Sequence, residues 1–194
     1  MRGIPKRPGA LVAATQFRST PIITSQEILR ANGHFHRYVE LLGNRREEIL
    51  QCFAGTWLPM TTARAHYEAC DALRLSPSEQ FAIGRATAEH ARTGWLSTFM
   101  SLARGAGATP WVWVERADRI WPRLMNGGYA AAFRLGPKEA RLEYVGCELF
   151  DVPYFRNGFR GTIDLLGSLL SKKHYTRELP RRTTGEAIFR VQWV

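Results

Sequence analysis

Apolar residues in the middle of the chain recur every three or four positions, which predicts amphipathic helices. A helix that begins at Thr61 or Thr62 would present one small apolar face, formed by Ala65, Ala69, Ala72 and Leu73. The segment Ser76-Pro77-Ser78-Glu79 predicts the start of the next helix, because a capping serine, a proline in the first turn and a glutamate together satisfy free backbone amides. That helix should run to about Arg92, and another should follow Thr109-Pro110.

The period of the pattern falls to about two after Asn126-Gly127-Gly128, which predicts strands. Residues 129–135 and 140–145 should pair as a hairpin around Gly136-Pro137. One long helix follows, with an apolar stripe formed by Phe159, Ile163, Leu166 and Leu170. Two further strands should close the chain, and the last alternates inward Phe189, Val191 and Trp193 with outward Arg190 and Gln192. The predicted fold class is α+β, a helical layer packed on a C-terminal antiparallel sheet.

A length of 194 residues suits one domain with a well-buried core, and no low-complexity stretch divides the chain. Within that single domain, 1–194, we expect residues 1–52 to hold an N-terminal strand at 9–17 and short helices. Residues 53–126 should form the central helices. Residues 127–194 should form the antiparallel sheet with its one long helix.

The composition is that of an ordinary globular protein, with 45% hydrophobic and 23% charged residues. The excess of 27 Lys and Arg over 17 Asp and Glu gives a formal net charge of +10, which favours anionic partners through long-range attraction. The basic residues are scattered, however, and their densest stretch, Lys172 to Arg190, also contains two glutamates. No RNA-recognition, zinc-finger or basic-zipper signature occurs. A solvated basic surface is therefore the favoured interpretation, with nucleic-acid binding as an alternative.

The sequence predicts a cytoplasmic protein. No run of eighteen apolar residues occurs, which excludes a membrane-spanning helix on length. The basic N-terminus is followed by an apolar stretch that Gln16 and Arg18 interrupt too early for a signal peptide. The cysteines Cys52, Cys70 and Cys147 are odd in number and far apart, which favours reduced thiols over a disulfide framework.

Motifs of nucleotide binding and hydrolysis are absent: the sequence has no phosphate loop, Gly-x-Gly-x-x-Gly, Gly-x-Ser-x-Gly or His-Glu-x-x-His. His34 and His36 would point to different faces of a helix, so a metal pair is not expected there. Glu89 and His90 diverge in the same way, and no third partner for acid–base chemistry is identifiable. We predict no catalytic residue, no metal site and no cofactor, and we expect that the protein is not an enzyme.

Aromatic residues are the feature of the sequence that favours a pocket. They include Trp57, Trp95, Phe99, Trp111, Trp113, Trp121, Tyr129 and Trp193. Together they supply more ring area than a small core needs, and apolar pockets are commonly lined in this way. Packing in the core is the alternative for each of them taken singly. Trp111 and Trp113 cannot share one helical face, so one of them should reach a surface or an interface.

Several landmarks between Phe53 and the C-terminus occur in a recognisable order. They are Trp57-Leu58-Pro59, the helix with Tyr67, Ile83-Gly84-Arg85, Thr109-Pro110 to Ile120-Trp121 with Gly128, Glu178 to Gly185, and Phe189 to Trp193. Their order and spacing resemble an uncharacterised myxobacterial family of paralogous proteins. That family is similar, in its C-terminal half, to the 4-vinyl-reductase domain and to sensory domains of aromatic-responsive transcription activators, and more distantly to haem nitric-oxide-binding domains. The resemblance implies a helical layer over an antiparallel sheet, with a small-molecule cavity between them.

The chain departs from the metal-binding and haem-binding members of these families. Zinc-binding members use one cysteine before the long helix, and a Glu and two cysteines around the final hairpin. Glu178 matches the acid, but the cysteine positions hold Tyr154 or Phe155, Arg181, and Ala187 or Ile188. One carboxylate cannot replace a set of thiolates. Haem-binding members carry a Tyr-x-Ser-x-Arg motif that does not occur in this chain, so neither group is expected.

The resemblance and the aromatic content favour a non-catalytic sensor or adaptor domain that binds a small apolar or aromatic ligand and signals to a protein partner by population shift. The helix after Ser76 is rich in Ala and Gly, which should leave room for a cavity beside Ala86. We expect the cavity to be lined by residues on the helices that the resemblance places over the sheet, namely His66, His90, Trp95 and Phe99. The alternative is a pure protein–protein interaction module whose pocket has been lost to packing, and an enzyme is a third, less favoured interpretation.

Overall fold

The computed structural model describes residues 12–90 and 109–194, in which helices pack on an antiparallel sheet. The helices are α1 (Thr20–Ala31), α2 (Phe35–Leu41), α3 (Arg46–Leu50), α4 (Met60–Asp71), α5 (Pro77–His90), α6 (Trp111–Val114), α7 (Ala117–Ile120) and α8 (Pro153–Ser168). Short 3-10 helices cover Gly43–Arg45, Trp121–Arg123 and Glu148–Asp151. The strands are β1 (Gln16–Arg18), β2 (Trp57–Pro59), β3 (Met125–Asn126), β4 (Tyr129–Gly136), β5 (Glu139–Val145), β6 (His174–Leu179) and β7 (Glu186–Trp193). The predicted α+β class is confirmed.

The described strands form two antiparallel sheets. The larger sheet has the order β4-β5-β7-β6, so the predicted β4–β5 hairpin pairs with the last strand of the chain. Alternation along β7 buries Phe189, Val191 and Trp193, and Trp193 is only 5% exposed. The smaller sheet has the order β2-β1-β3, so β1 joins the segment before α4 to the segment before β4. The last strand is therefore part of the core, as its alternation predicts.

The start of α5 is fixed by hydrogen bonds between Ser76 and Glu79. The Ser76 amide donates to Glu79 Oε2 over 2.8 Å, and the Glu79 amide donates to Ser76 Oγ over 3.3 Å. This reciprocal pair is the predicted capping box, and Pro77 occupies the first helical position, where a missing amide hydrogen costs nothing. The local signal alone was thus sufficient to locate the helix.

Helices α5 and α8 cross with their backbones in contact. A Cβ atom at Gly84 would lie well inside van der Waals distance of the Gly158 carbonyl oxygen, and one at Gly161 would lie as close to the Phe81 carbonyl oxygen. No side chain fits at such a distance, so both positions need glycine. The Thr162 hydroxyl donates to the Gly84 carbonyl over 3.3 Å and adds a polar contact at the crossing. The small residues of α5 therefore let α8 approach closely.

The segment before the sheet is more broken than the pattern predicts. One helix was expected after Thr109-Pro110, whereas the structure has α6, α7 and a 3-10 turn that contains Pro122. Proline cannot donate a backbone hydrogen bond, so the regular helix ends before it. Trp113 is buried and Trp111 is half-buried, which agrees with the expected division between two helical faces.

The predicted N-terminal strand is shorter than expected within the described residues. β1 begins at Gln16, and residues 12–15 belong to no strand, although the Ala14 amide donates to the Gly146 carbonyl over 2.7 Å. The cysteines Cys52, Cys70 and Cys147 are all free thiols. Among the helices of residues 12–90 and 109–194, none combines the length and the apolar character that crossing a bilayer requires.

Candidate ligand cavity

A cavity of about 560 Å³ lies between the helical layer and the segment that leads into the sheet. Its walls come from β1, the first half of α1, Gly55, Tyr67 of α4, residues 83–88 of α5, residues 113–125, β5 and α8. Sites for small molecules typically have volumes of about 300 to 1,000 Å³ and mostly apolar walls. The cavity is therefore large enough for an organic ligand of one or two rings.

The apolar part of the wall consists largely of aromatic rings. On one side Tyr67 packs edge-on against Phe17 and Phe155, with ring centroids 5.7 and 4.7 Å apart. On the other side Phe159 packs edge-on against Tyr144, with centroids 4.8 Å apart. Aromatic faces held in this way favour contact with another flat, apolar molecule.

The spacing along α8 explains why one helix supplies so much of the wall. Residues four positions apart lie on the same side of a helix. Two such rows of α8 line the cavity. One row consists of Tyr154, Gly158 and Thr162, and the other consists of Phe155, Phe159 and Ile163, with Leu166 one turn further on. From α5 the opposing side chains are Ile83, Thr87 and Ala88.

Three polar atoms in residues that line the cavity have no hydrogen-bond partner among the described residues: Ser25 Oγ, Trp113 Nε1 and Tyr154 OH. Ser25 and Tyr154 are each 3% exposed and Trp113 is 2% exposed, so bulk water does not reach these groups from outside. Most buried polar groups in proteins are hydrogen-bonded, and an unpaired group costs about 1 to 3 kcal/mol.

The only charged side chains among the described lining residues are Arg18 and Arg123. The Arg18 guanidinium donates to the Gly55 carbonyl over 2.7 Å and lies 4.2 Å from the centroid of the Trp57 ring. Arg123 is exposed. Positive charge therefore lies at the rim, and the described deep wall is neutral. Burial raises the pKa of Tyr67, Tyr144 and Tyr154, so these phenols stay protonated at neutral pH.

Two of the four predicted lining residues are described, and both lie outside the cavity wall. His66 is fully buried, with its Nδ1 hydrogen-bonded to the Tyr38 hydroxyl at 2.7 Å and its Nε2 3.7 Å from Cys70 Sγ. Burial lowers the pKa of His66 to about 3, so the ring is neutral. His90 is exposed, with its Nδ1 2.9 Å from the Ala86 carbonyl oxygen. Their role in binding stays a prediction, since no ligand tests it.

The other two predicted lining residues, Trp95 and Phe99, fall outside the described residues. Ala86, beside which the cavity was expected, does not border it, whereas Ala88 does, because two positions along a helix turn a side chain to another face. Ser25, Trp113 and Tyr154 were not predicted as polar groups of the wall. The Ala- and Gly-rich composition of α5, the aromatic residues Trp113 and Trp121 and the family resemblance all indicated this part of the molecule in advance.

No metal site forms at the described positions that match the zinc ligands of the related families. Across the described ranges, no group of three or more His, Cys, Asp or Glu side chains gathers around one point. Glu178, the residue that matches the acid of the zinc-binding members, pairs with Arg156, with Oε1 3.1 Å from Nε. Tyr154, at one of the cysteine positions, lines the cavity.

Haem, which the resemblance also raises, requires an axial ligand such as His, Cys, Met or Tyr. All five histidines and all three cysteines of the chain lie within the described residues, and none of them lines the cavity. The lining tyrosines are neutral phenols, and the Met125 thioether accepts a contact from Cys147 Sγ at 3.9 Å. The described residues therefore do not fit haem.

Comparisons with known proteins identify the fold. No protein-family model and no curated protein matches the chain. Solved structures do match, each over 91% of this chain: an Fe(II) unliganded H-NOX mutant from K. algicida (7% identity, 96% of that chain, TM-score 0.67), a mutant of T. Tengcongensis H-NOX (13%, 97%, 0.65), and the oxygen complex of an H-NOX domain related to soluble guanylate cyclases (14%, 94%, 0.63). Identities this low establish the fold alone. The chain has the haem nitric-oxide-binding (H-NOX) fold, the most distant of the relationships that the sequence resemblance implied.

Proposed function

We propose that this protein is a non-catalytic sensor or adaptor domain that binds a small apolar or aromatic molecule in the cavity and signals to a protein partner. The observation that carries the proposal is the 560 Å³ cavity, whose wall is built from aromatic rings in an H-NOX-like fold. Protein interiors usually hold few voids larger than a water molecule, so a space of this size needs a reason.

The wall chemistry supports direct binding of an organic ligand in place of haem. One of the solved structures to which the chain is similar is an oxygen complex of an H-NOX domain, and two others come from work on haem distortion. In this chain the cavity offers neutral phenols, rings and hydroxyls, without a lining His or Cys. Contacts of this kind hold a flat apolar molecule and supply no ligand set for iron.

The wall also supports a binding role over catalysis. Among the described lining residues there is no Asp, Glu, His, Lys or Cys, so the described wall offers no carboxylate, imidazole, amine or thiol for acid–base or nucleophilic chemistry. Signalling would follow from the fact that α1, α5 and α8 all contribute to the wall, since a ligand that contacts several helices can favour one arrangement over another. We place this activity in the cytoplasm, in keeping with three free thiols.

Uptake of naphthalene, measured by equilibrium dialysis, tests this proposal. The wild-type protein should take up about one equivalent, and Ala88→Phe should abolish uptake because Ala88 is buried and lines the cavity. Ala82→Phe is the matched control, since Ala82 is an exposed residue of the same helix outside the lining. It should bind as wild type does. Absence of uptake by the wild-type protein would contradict the ligand-binding function and favour the pure interaction module.

A further inference from the structure

We propose that the natural ligand is a neutral aromatic compound with a hydroxyl or carbonyl oxygen, which hydrogen-bonds to Ser25 and Tyr154 in the deep wall of the cavity. The inference rests on the proposed function, because it assumes that a ligand enters this cavity. It goes further by assigning the chemical class of that ligand and the two residues that select it.

The first step is the position of the two hydroxyl groups, called here the Ser25–Tyr154 pair. Ser25 belongs to α1 and Tyr154 to the first turn of α8, and both residues line the cavity. Both hydroxyls lie close to the Cys70 thiol: burial raises the pKa of Cys70, and interactions with Tyr154 and Ser25 partly offset that rise. The two hydroxyls are therefore close together, in residues that line the cavity.

The second step is that neither hydroxyl of the pair makes a hydrogen bond of normal length and angle with a described residue, although the two hydroxyls and the Cys70 thiol are close enough to interact weakly. A tyrosine hydroxyl can donate one hydrogen bond and accept others, and a serine hydroxyl can do the same. Leaving both unpaired in a buried wall is unfavourable unless another molecule supplies the partner. The pair thus has the hydrogen-bonding capacity for one oxygen atom of a ligand.

The third step concerns the charge of the ligand. Among the described lining residues the cations are Arg18, whose guanidinium already contacts the Gly55 carbonyl and the Trp57 ring, and the exposed Arg123. Neither belongs to the deep wall, and no lining carboxylate is described. A carboxylate or an ammonium group placed against the Ser25–Tyr154 pair would be desolvated without a compensating charge. The buried end of the ligand should therefore be neutral.

The indole nitrogen of Trp113 narrows the class further. Trp113 lines the same cavity, and its indole nitrogen lacks a partner among the described residues and can only donate a hydrogen bond. A ligand that satisfies it must carry an acceptor. A phenol or an aromatic ketone meets this requirement, whereas a plain hydrocarbon leaves all three groups unpaired.

Comparison of 2-naphthol, naphthalene and 2-naphthoate in equilibrium dialysis at pH 7 tests the assignment. These probes share a ring system and differ in the polar group. We expect 2-naphthol to bind about tenfold more tightly than naphthalene, which corresponds to one satisfied hydrogen bond, and 2-naphthoate to bind more weakly than 2-naphthol. Equal affinities for naphthalene and 2-naphthol would overturn the inference while leaving the proposed function intact. Absence of uptake of all three probes would overturn the proposed function itself.

Two tyrosine variants provide a matched pair. Tyr154→Phe should reduce the tenfold preference for 2-naphthol to about onefold, and its melting temperature should equal or exceed that of the wild type, because an unpaired hydroxyl is removed. Tyr38→Phe should keep the preference and melt at a lower temperature, because the Tyr38 hydroxyl is bonded to His66 and lies outside the cavity. Ser25→Ala should behave like Tyr154→Phe. The assignment is wrong if the preference for 2-naphthol survives in both Tyr154→Phe and Ser25→Ala. It is also wrong if Tyr154→Phe melts at as low a temperature as Tyr38→Phe.

Discussion

Two buried polar regions of this molecule contain similar side chains, and they differ in how far their hydrogen-bonding capacity is met. Tyr38 and His66 join α2 to α4 through a hydrogen bond of 2.7 Å. The Ser25–Tyr154 pair lies between α1 and α8, and neither of its hydroxyls makes a hydrogen bond of normal length and angle with a described residue. Burial alone therefore does not distinguish a structural polar group from a candidate binding group, whereas the presence of a partner does.

The Tyr38–His66 contact belongs to ordinary core packing. His66, Cys70 and the rings around them fill the space between α2 and α4, and Tyr38 and His66 both have no exposed surface. The Ser25–Tyr154 pair instead borders a cavity. Equivalent substitutions in the two regions should therefore have unequal effects on the free energy of unfolding.

The largest effect is expected for His66→Ala. This change removes a fully buried ring and leaves the Tyr38 hydroxyl unpaired, so it should lower the free energy of unfolding by about 3 kcal/mol or more. Urea denaturation followed by circular dichroism measures the change. Ser25→Ala is the control from the other region and should alter stability by less than about 0.5 kcal/mol. Equal losses in the two variants would remove the distinction between the regions.

A smaller effect is expected when phenylalanine replaces a buried alanine in each region. Ala63 on α4 is fully buried and does not line the cavity, so Ala63→Phe should cost about 1 to 3 kcal/mol through overpacking. Ala88→Phe projects into the cavity and should cost less than about 1 kcal/mol. Thermal melts of the two variants, compared with wild type, provide the measurement. A strongly destabilised Ala88→Phe would show that the space is not available to a side chain.

The third effect is expected on the pH dependence of stability. Burial lowers the pKa of His66 from the ordinary value of 6.5 to about 3, so the unfolded chain takes up a proton that the folded chain refuses. Stability should therefore be fully present above pH 6.5 and should fall below it by up to about 1.4 kcal/mol per pH unit. The carboxyl groups of Glu40, Glu79 and Glu186 have lowered pKa values and add to the loss only below pH 4.5.

Unfolding free energies measured between pH 6.5 and 5 isolate the histidine contribution. His66→Gln should flatten the slope in that window, and an unchanged slope would mean that another group causes it. The affinity for 2-naphthol should stay constant over the same window, since no described charged group belongs to the deep wall. The two regions would then differ in their response to pH as well as in packing.

Local signals in the sequence were sufficient for much of the fold. The capping box at Ser76, the alternation along the last strand and the stripe along the long helix each depend on residues close in the chain, and each is found in the structure. The regular helix ends before Pro122, as a proline there predicts. The division of the preceding segment into α6 and α7 was not predicted, because these turns depend on contacts between the tryptophans and the sheet. That the chain forms a single domain stays a prediction.

The cavity residues were harder to predict for a physical reason. Ala- and Gly-rich composition located α5 beside the space, but the choice between His66 and its neighbour Tyr67 depends on a contact with Tyr38, a residue from a different helix. Whether a hydroxyl such as Ser25 or Tyr154 lacks a partner is likewise a property of the folded chain. No spacing rule within the sequence encodes it.

The origin of the Ser25–Tyr154 pair in opposite halves of the chain has a mechanical consequence. Helix α1 begins at Thr20 and α8 begins at Pro153, so a ligand oxygen bonded to both hydroxyls would connect two segments that are far apart in the covalent chain. Such a connection is a reversible cross-link, and cross-links that span long stretches of chain restrict the disordered states most. Ligand binding would then slow the local opening of α1 and α8 together, so amide hydrogen exchange in both helices would report occupancy of the cavity.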